Sequence, residues 1–184
     1  MVLSRHISRT VLCCAVLWAS LPQTEAAETA AEVTVKAAVV HKIAKFVTWP
    51  DSAFESPQSP IRFCVVGNGR IYDALRRMGD RPIHGRPVAV IRAPEPSLAA
   101  ANCDVLYLTR DAERRAAEWL DVVADEPVLT VGDAGEYGGN DSIVMLTIRR
   151  DKVRFAINLE ANSNTGLSIS AQLLQLAAAV GGGA

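Results

Sequence analysis

Charge of one sign is missing from this 184-residue sequence: 19 Lys and Arg stand against 20 Asp and Glu, a formal net charge of -1. With no basic excess to release counterions, electrostatic binding of nucleic acid is excluded. Histidine is scarce, at three, and no cluster of His, Cys and carboxylate has metal-ligand spacing, so no metal site is implied. No lysine follows a glycine loop, no His-Glu-x-x-His occurs, and no serine sits in Gly-x-Ser-x-Gly. These gaps remove the common catalytic constellations, and no cofactor is implied. Disorder is excluded as well, since 49% of residues are hydrophobic and 21% charged.

What is present begins with a leader. Arg5, His6 and Arg9 precede an apolar run from Val11 to Ala19, and Thr24-Glu25-Ala26 offers small residues for a signal peptidase. The run is too short for the ~20 residues a bilayer span needs, and no later segment is long and apolar enough. Residues 1–26 are therefore expected to be a cleaved secretory signal, leaving 184 - 26 = 158 residues with charge 17 - 19 = -2. The remaining chain, 27–184 with a core near 31–180, reads as one exported, soluble domain.

Cys13 and Cys14 leave with the leader, so only Cys64 and Cys103 remain. An even count in an oxidising compartment makes a disulfide the default, with two buried free thiols as the alternative. The bridge would close a loop of about 40 residues, for which chain-entropy reasoning gives ~4 kcal/mol.

Along the chain, Val35, Val39, Ile43, Phe46 and Val47 recur at helical spacing between Ala31 and Thr48, with Lys36, Lys42 and Lys45 on other faces. Pro50 ends that pattern. The strand Ile61–Val66, the turn Gly67-Asn68-Gly69 and a helix near Ile71–Met78 follow. Strands are expected at Pro87–Arg92, Cys103–Thr109 and Pro127–Val131, a proline-bearing connection leads to Leu98–Ala101, and a helix is expected at Asp111–Val123. Gly132-Asp133 reads as a turn. Ser142–Arg149 and Lys152–Leu159 form a hairpin around Arg150-Asp151. Ser168 or Ser170 caps a last helix carrying Leu173, Leu174, Leu176, Ala177 and Val180, which Gly181–Gly183 ends. The pattern predicts a single-domain α/β sandwich: a largely parallel sheet, helices on both faces, and a C-terminal antiparallel hairpin.

Single residues carry weak signals. Gly67-Asn68-Gly69 resembles the start of a dinucleotide fingerprint, but Tyr72 holds the third glycine position, and a plain strand-to-helix turn suffices. Asp133 and Glu136 could do acid–base work at a crevice beyond the strand ends, although a carboxylate satisfying turn donors fits better. His41 beside the first helix's apolar stripe and His84 in a turn read as packing or surface residues. Trp49 is either an exposed binding aromatic or a lid over the core. Binding, not catalysis, is the work this leaves.

Three groups of segments together resemble the YfiR family of periplasmic proteins. The first is Val35-Lys36-Ala37-Ala38 leading to Lys45-Phe46-Val47-Thr48-Trp49-Pro50. The second runs from Ile61-Arg62-Phe63-Cys64-Val65-Val66-Gly67 through Ile83-His84-Gly85-Arg86-Pro87-Val88 to Cys103-Asp104-Val105-Leu106-Tyr107. The third joins Val128-Leu129-Thr130-Val131-Gly132-Asp133, Val153-Arg154-Phe155-Ala156-Ile157-Asn158-Leu159, Gly166-Leu167-Ser168-Ile169-Ser170 and Leu173-Leu174. The resemblance implies a non-enzymatic repressor that binds the periplasmic region of a membrane-bound diguanylate cyclase, YfiN, and keeps cyclic-di-GMP and biofilm formation low. It further implies sequestration by an outer-membrane lipoprotein, YfiB, a homodimer, and a disulfide between the cysteines matching Cys64 and Cys103. Candidate partner contacts are His41, Lys45 and Trp49. Two departures matter: the family's aromatic stretch is here Val39-Val40-His41-Lys42-Ile43, and no second cysteine pair follows Cys103. The alternative is a periplasmic small-molecule sensor with a crevice near Gly67 and Gly132.

Overall fold

The computed structural model describes residues 29–67, 69–93, 95–134 and 141–181. The expected leader at 1–26, Asn68 and Glu136 lie outside them. Helix α1 (Ala30–Ala44) starts where the Thr29 side chain accepts the Glu32 amide at 3.1 Å, satisfying a donor the helix cannot. Its buried face is Val33, Lys36, Ala37, Val40, His41, Ile43 and Ala44, not the stripe of larger residues that contains Val35 and Val39. The alanines decide this, because small side chains let the helix approach the sheet closely, and Val35 is left 48% exposed. The helix stops before Val47–Thr48, which instead forms β1 and pairs antiparallel with β8 (Ser168–Ile169).

The main sheet has seven strands in the order β3-β2-β4-β5-β6-β7-β9. β2 (Ile61–Val66), β3 (Val88–Arg92), β4 (Val105–Leu108), β5 (Leu129–Asp133) and β6 (Val144–Arg149) run parallel, and the central three, β2, β4 and β5, are the mostly apolar, buried runs that a sheet covered on both faces requires. β7 (Lys152–Asn158) is antiparallel to β6, and the two residues between them, Arg150 and Asp151, take φ 51° and 59° as a tight hairpin turn requires. The expected α/β sandwich with a parallel sheet and late hairpin is what forms.

Alternation along the strands builds two cores. Ile61, Phe63, Val65, Val105, Tyr107, Leu129, Val131, Leu146 and Ile157 meet α1, α2 (Ile71–Arg76) and α5 (Ala171–Leu176). Cys64, Val66, Leu106 and Leu108 meet α3 (Ala99–Asn102) and α4 (Ala116–Asp121) through Ala99, Ala116 and Trp119.

Several expectations are corrected. Gly132 and Asp133 are not a turn; they complete β5 and pair with Met145 and Leu146 of β6. The segment 111–123 divides into a 3-10 turn, Arg110–Arg115, and the short α4. The last helix is capped by Ser170, whose hydroxyl accepts the Leu173 amide at 3.2 Å, but it ends at Leu176. Val180 belongs to β9 (Ala179–Gly181), which adds parallel to β7. An unpaired strand edge offers a row of backbone donors and acceptors that helix continuation could not satisfy.

Candidate functional site at the strand ends

The chain enters the sheet at β2, places β3 on one side and crosses to β4 on the other. That reversal creates a crevice at the carboxyl ends of β2 and β4, where open α/β sheets place ligands. Gly67 and Thr109 occupy it. Gly67 takes φ +96°, and a Cβ there would lie 1.9 Å from Thr109 Oγ1 and 2.9 Å from Asp111 Oδ1. Thr109 Oγ1 in turn lies within hydrogen-bond distance of the Val66 carbonyl and of Asp111 Oδ1. The glycine turn therefore packs against the chain's own hydroxyl and carboxylate. An anionic phosphate would meet a negative charge there, so the dinucleotide resemblance has no functional counterpart.

One strand over, the carboxyl end of β5 holds a buried ionic cluster. Strand alternation puts Leu129, Val131 and Asp133 on the α1 side, as it does Tyr107 of β4. The buried seam of α1 brings Lys36 over the same place. Lys36 Nζ donates to Asp133 Oδ1 at 2.9 Å and Oδ2 at 2.8 Å, with the lysine fully buried and Asp133 6% exposed. The Tyr107 hydroxyl donates to Asp133 Oδ2 at 3.1 Å. Glu32 Oε1, one helical turn before Lys36, lies 2.8 Å from Nζ, an ionic contact whose alignment falls short of a hydrogen bond. Arg110 reaches Glu32 at 3.9 Å, so charges alternate from the core to the surface.

Asp133 is thus an ion-pair partner and not a turn carboxylate, and Lys36 lies on the buried face of α1 and not on an outer one. Neither Lys36 nor Tyr107 stood out as a site residue in the sequence. The available signal was a lysine set in register with Val33, Ala37 and Val40, where an unpaired cation cannot be buried.

At the opposite, amino end of the sheet, the structure joins Cys64 of β2 to Cys103, two residues before β4, with Cα atoms 5.6 Å apart. Asp104 accepts from the Arg62 amide at 2.6 Å, from Nε at 3.1 Å and from Nη2 at 3.0 Å. Those hydrogen bonds to Asp104 hold the Arg62 guanidinium above its ordinary pKa, against a smaller opposing effect of burial. The Asp104 carbonyl accepts the Trp49 indole N–H at 3.2 Å. A cavity of about 460 Å³ opens beside this group, lined in part by Phe54, Glu55, Arg62, Cys103 and Glu126.

The three candidate partner contacts separate. Trp49 is 6% exposed and packs in the core, a lid and not a projecting aromatic. His41 is 5% exposed, with Nε2 2.9 Å from the Arg81 carbonyl. Burial lowers its pKa below 6.5, and the nearby charges of Lys45 and Arg81 push the same way. Lys45 alone is exposed. His84 takes φ 51° in its turn and lies 2.9 Å from the Val47 carbonyl, tying that turn to β1. Among the described residues, no three His, Cys, Asp or Glu side chains are placed to share a metal ion, and no helix is long and apolar enough to cross a membrane.

These features define a disulfide-bonded α/β domain whose buried charges are committed to internal pairing. Residues 33–178 match the YfiR/HmsC-like family, and the chain belongs to that family, whose members regulate diguanylate cyclase signalling in the periplasm.

Proposed function

We propose that the chain is exported, loses residues 1–26, and as residues 27–184 binds the periplasmic region of a membrane-bound, YfiN-like diguanylate cyclase. Holding that region inactive keeps cyclic-di-GMP and biofilm formation low. The observation that carries the reading is the family match, which runs from α1 to just before β9 and takes in both the disulfide and the Lys36–Asp133 pair. Repression needs tighter binding to the inactive cyclase than to the active one; a tenfold bias requires ~1.4 kcal/mol. A homodimer as the acting form and release by a YfiB-like outer-membrane lipoprotein complete the proposal. Of the candidate contacts, only Lys45 is placed to meet a partner without local opening.

The test is deletion of the gene with measurement of cellular cyclic-di-GMP, paired with pull-down of the cyclase's periplasmic region. The level is expected to rise and the region to be retained. An unchanged level in the deletion strain overturns the proposal. A ligand-sensing role is favoured by one feature, the 460 Å³ cavity beside Cys103; titration calorimetry with periplasmic metabolites tests it.

A further inference from the structure

The β6–β7 hairpin is built unlike the rest of the sheet. Its residues Val144, Leu146, Val153, Phe155 and Ile157 turn to the α1 core. On the other face no residue of β6 or β7 joins the core under α3 and α4. Register places Thr147 opposite Arg154 and Arg149 opposite Lys152 there, so three cations share the uncovered face. Arg150 adds a fourth in the turn. All four are exposed, and among the described residues none has an ion-pair or side-chain hydrogen-bond partner. Asp151 is the sole acid between Val144 and Asn158, giving this ribbon a charge of 4 - 1 = +3 in a chain whose net charge is -1.

We propose that this face of the β6–β7 hairpin docks on an anionic phospholipid surface. Charge complementarity selects the occupant. Tight protein partners anchor through aromatic and arginine side chains set in desolvated pockets, whereas the remaining side chains on this face, Met145, Thr147 and Ala156, supply no aromatic anchor, and the cations are exposed. A row of exposed cations on a two-stranded ribbon whose far half, 147–155, pairs with no third strand among the described residues matches a flat field of phosphate headgroups. Each Lys or Arg near such a surface strengthens binding by roughly fivefold, and the attraction fades with salt beyond a Debye length of ~10 Å at 0.1 M. Docking would hold the protein beside any membrane-bound partner. It does not depend on the partner being a cyclase, so the two proposals fail separately.

The experiment is co-sedimentation of the purified protein with phosphatidylcholine vesicles and with vesicles that also contain phosphatidylglycerol, at low and high salt. Wild-type protein is expected to bind the anionic vesicles alone and to be released by salt. Arg154→Gln should weaken binding about fivefold, and Arg149→Gln/Arg150→Gln/Lys152→Gln/Arg154→Gln should abolish it with the melting temperature unchanged. No binding to anionic vesicles, or equal binding by the quadruple variant, overturns the proposal. So does retention of wild type, but not the variant, on an acidic polypeptide when the vesicles stay bare, which would assign the face to a protein.

Discussion

Removing the amine of Lys36 tests whether the ionic cluster holds α1 onto the sheet. Lys36→Met keeps the length of the side chain and deletes the group that sits 2.8–2.9 Å from both Asp133 oxygens and 2.8 Å from Glu32. Asp133 is then left as a buried carboxylate with its cation gone, a change that typically costs about 3–5 kcal/mol. Asp133→Asn is gentler, because Lys36 retains Glu32 as a counter-ion and the amide stays within reach of Tyr107; loss of one charged hydrogen-bond set costs about 1.5–3 kcal/mol. For a domain of this size each kcal/mol lowers Tm by about 2–4 °C, so the first variant should melt roughly 10–15 °C below wild type and the second roughly half as far below. The double variant should lose less than the two singles combined, since neither charge remains alone. Thermal melts of the oxidised protein followed by circular dichroism, with denaturant titrations at unchanged m-value for the free energies, measure all three. A Lys36→Met protein within a few degrees of wild type, or strict additivity in the double variant, would refute the reasoning.

Three further outcomes follow from the same structure. Cys64→Ala/Cys103→Ala opens a crosslink between residues 39 apart; chain entropy puts the loss near 4 kcal/mol, read as a lower urea midpoint that reductant lowers no further. Under the proposed function the same variant should raise cyclase output. His41 has a folded pKa depressed by burial, so the unfolded chain binds protons more readily below pH 6.5. Stability should therefore be complete above that pH and fall as pH drops towards the folded value, and His41→Gln should flatten the slope in that window. Gly67→Ala meets both φ +96° and the Thr109 hydroxyl; a loss of at least ~2 kcal/mol is expected, with partial rescue by Thr109→Ala separating steric from backbone strain.

The elements legible in the sequence were those whose cause is local. Ile61–Val66 is apolar except for Arg62 and Val105–Leu108 is apolar throughout, and runs this short and rich in β-branched and aromatic residues read as buried strands. Arg150-Asp151 between two alternating segments marked the hairpin. What escaped depends on distant partners. Val47–Thr48 follows a helix closely enough to read as its continuation, and becomes β1 only because Ser168–Ile169 lies beside it. Ala179–Gly181 likewise reads as the end of a helix until β7 supplies an edge. The ionic cluster is the extreme case, since Lys36 and Asp133 are 97 residues apart and each has an innocent local reading. Glu32, Lys36, Tyr107 and Asp133 acquire a shared role only when α1, β4 and β5 are laid together.

The positions of the two clamps bear on how such a domain could act on a partner. The disulfide ties β2 to the entry of β4 on the α3–α4 side, and the ion pair ties α1 to the end of β5 on the other. Together they brace opposite faces at opposite ends of the sheet, the ion pair beside the point where strand order reverses, which in enzymes of this architecture is left open for substrate. Here Thr109, Asp111 and Asp133 fill or guard it. A braced scaffold orders few groups on association, so more of its contact energy survives as binding free energy. It also resists being remodelled by its target, which preserves whatever difference in affinity it has for the target's two states. Under the proposed function, weakening either clamp should therefore lower affinity for the inactive cyclase even where no contact residue changes. By that argument the lysine variant, whose alteration is wholly buried, should behave in repression assays as the disulfide variant does.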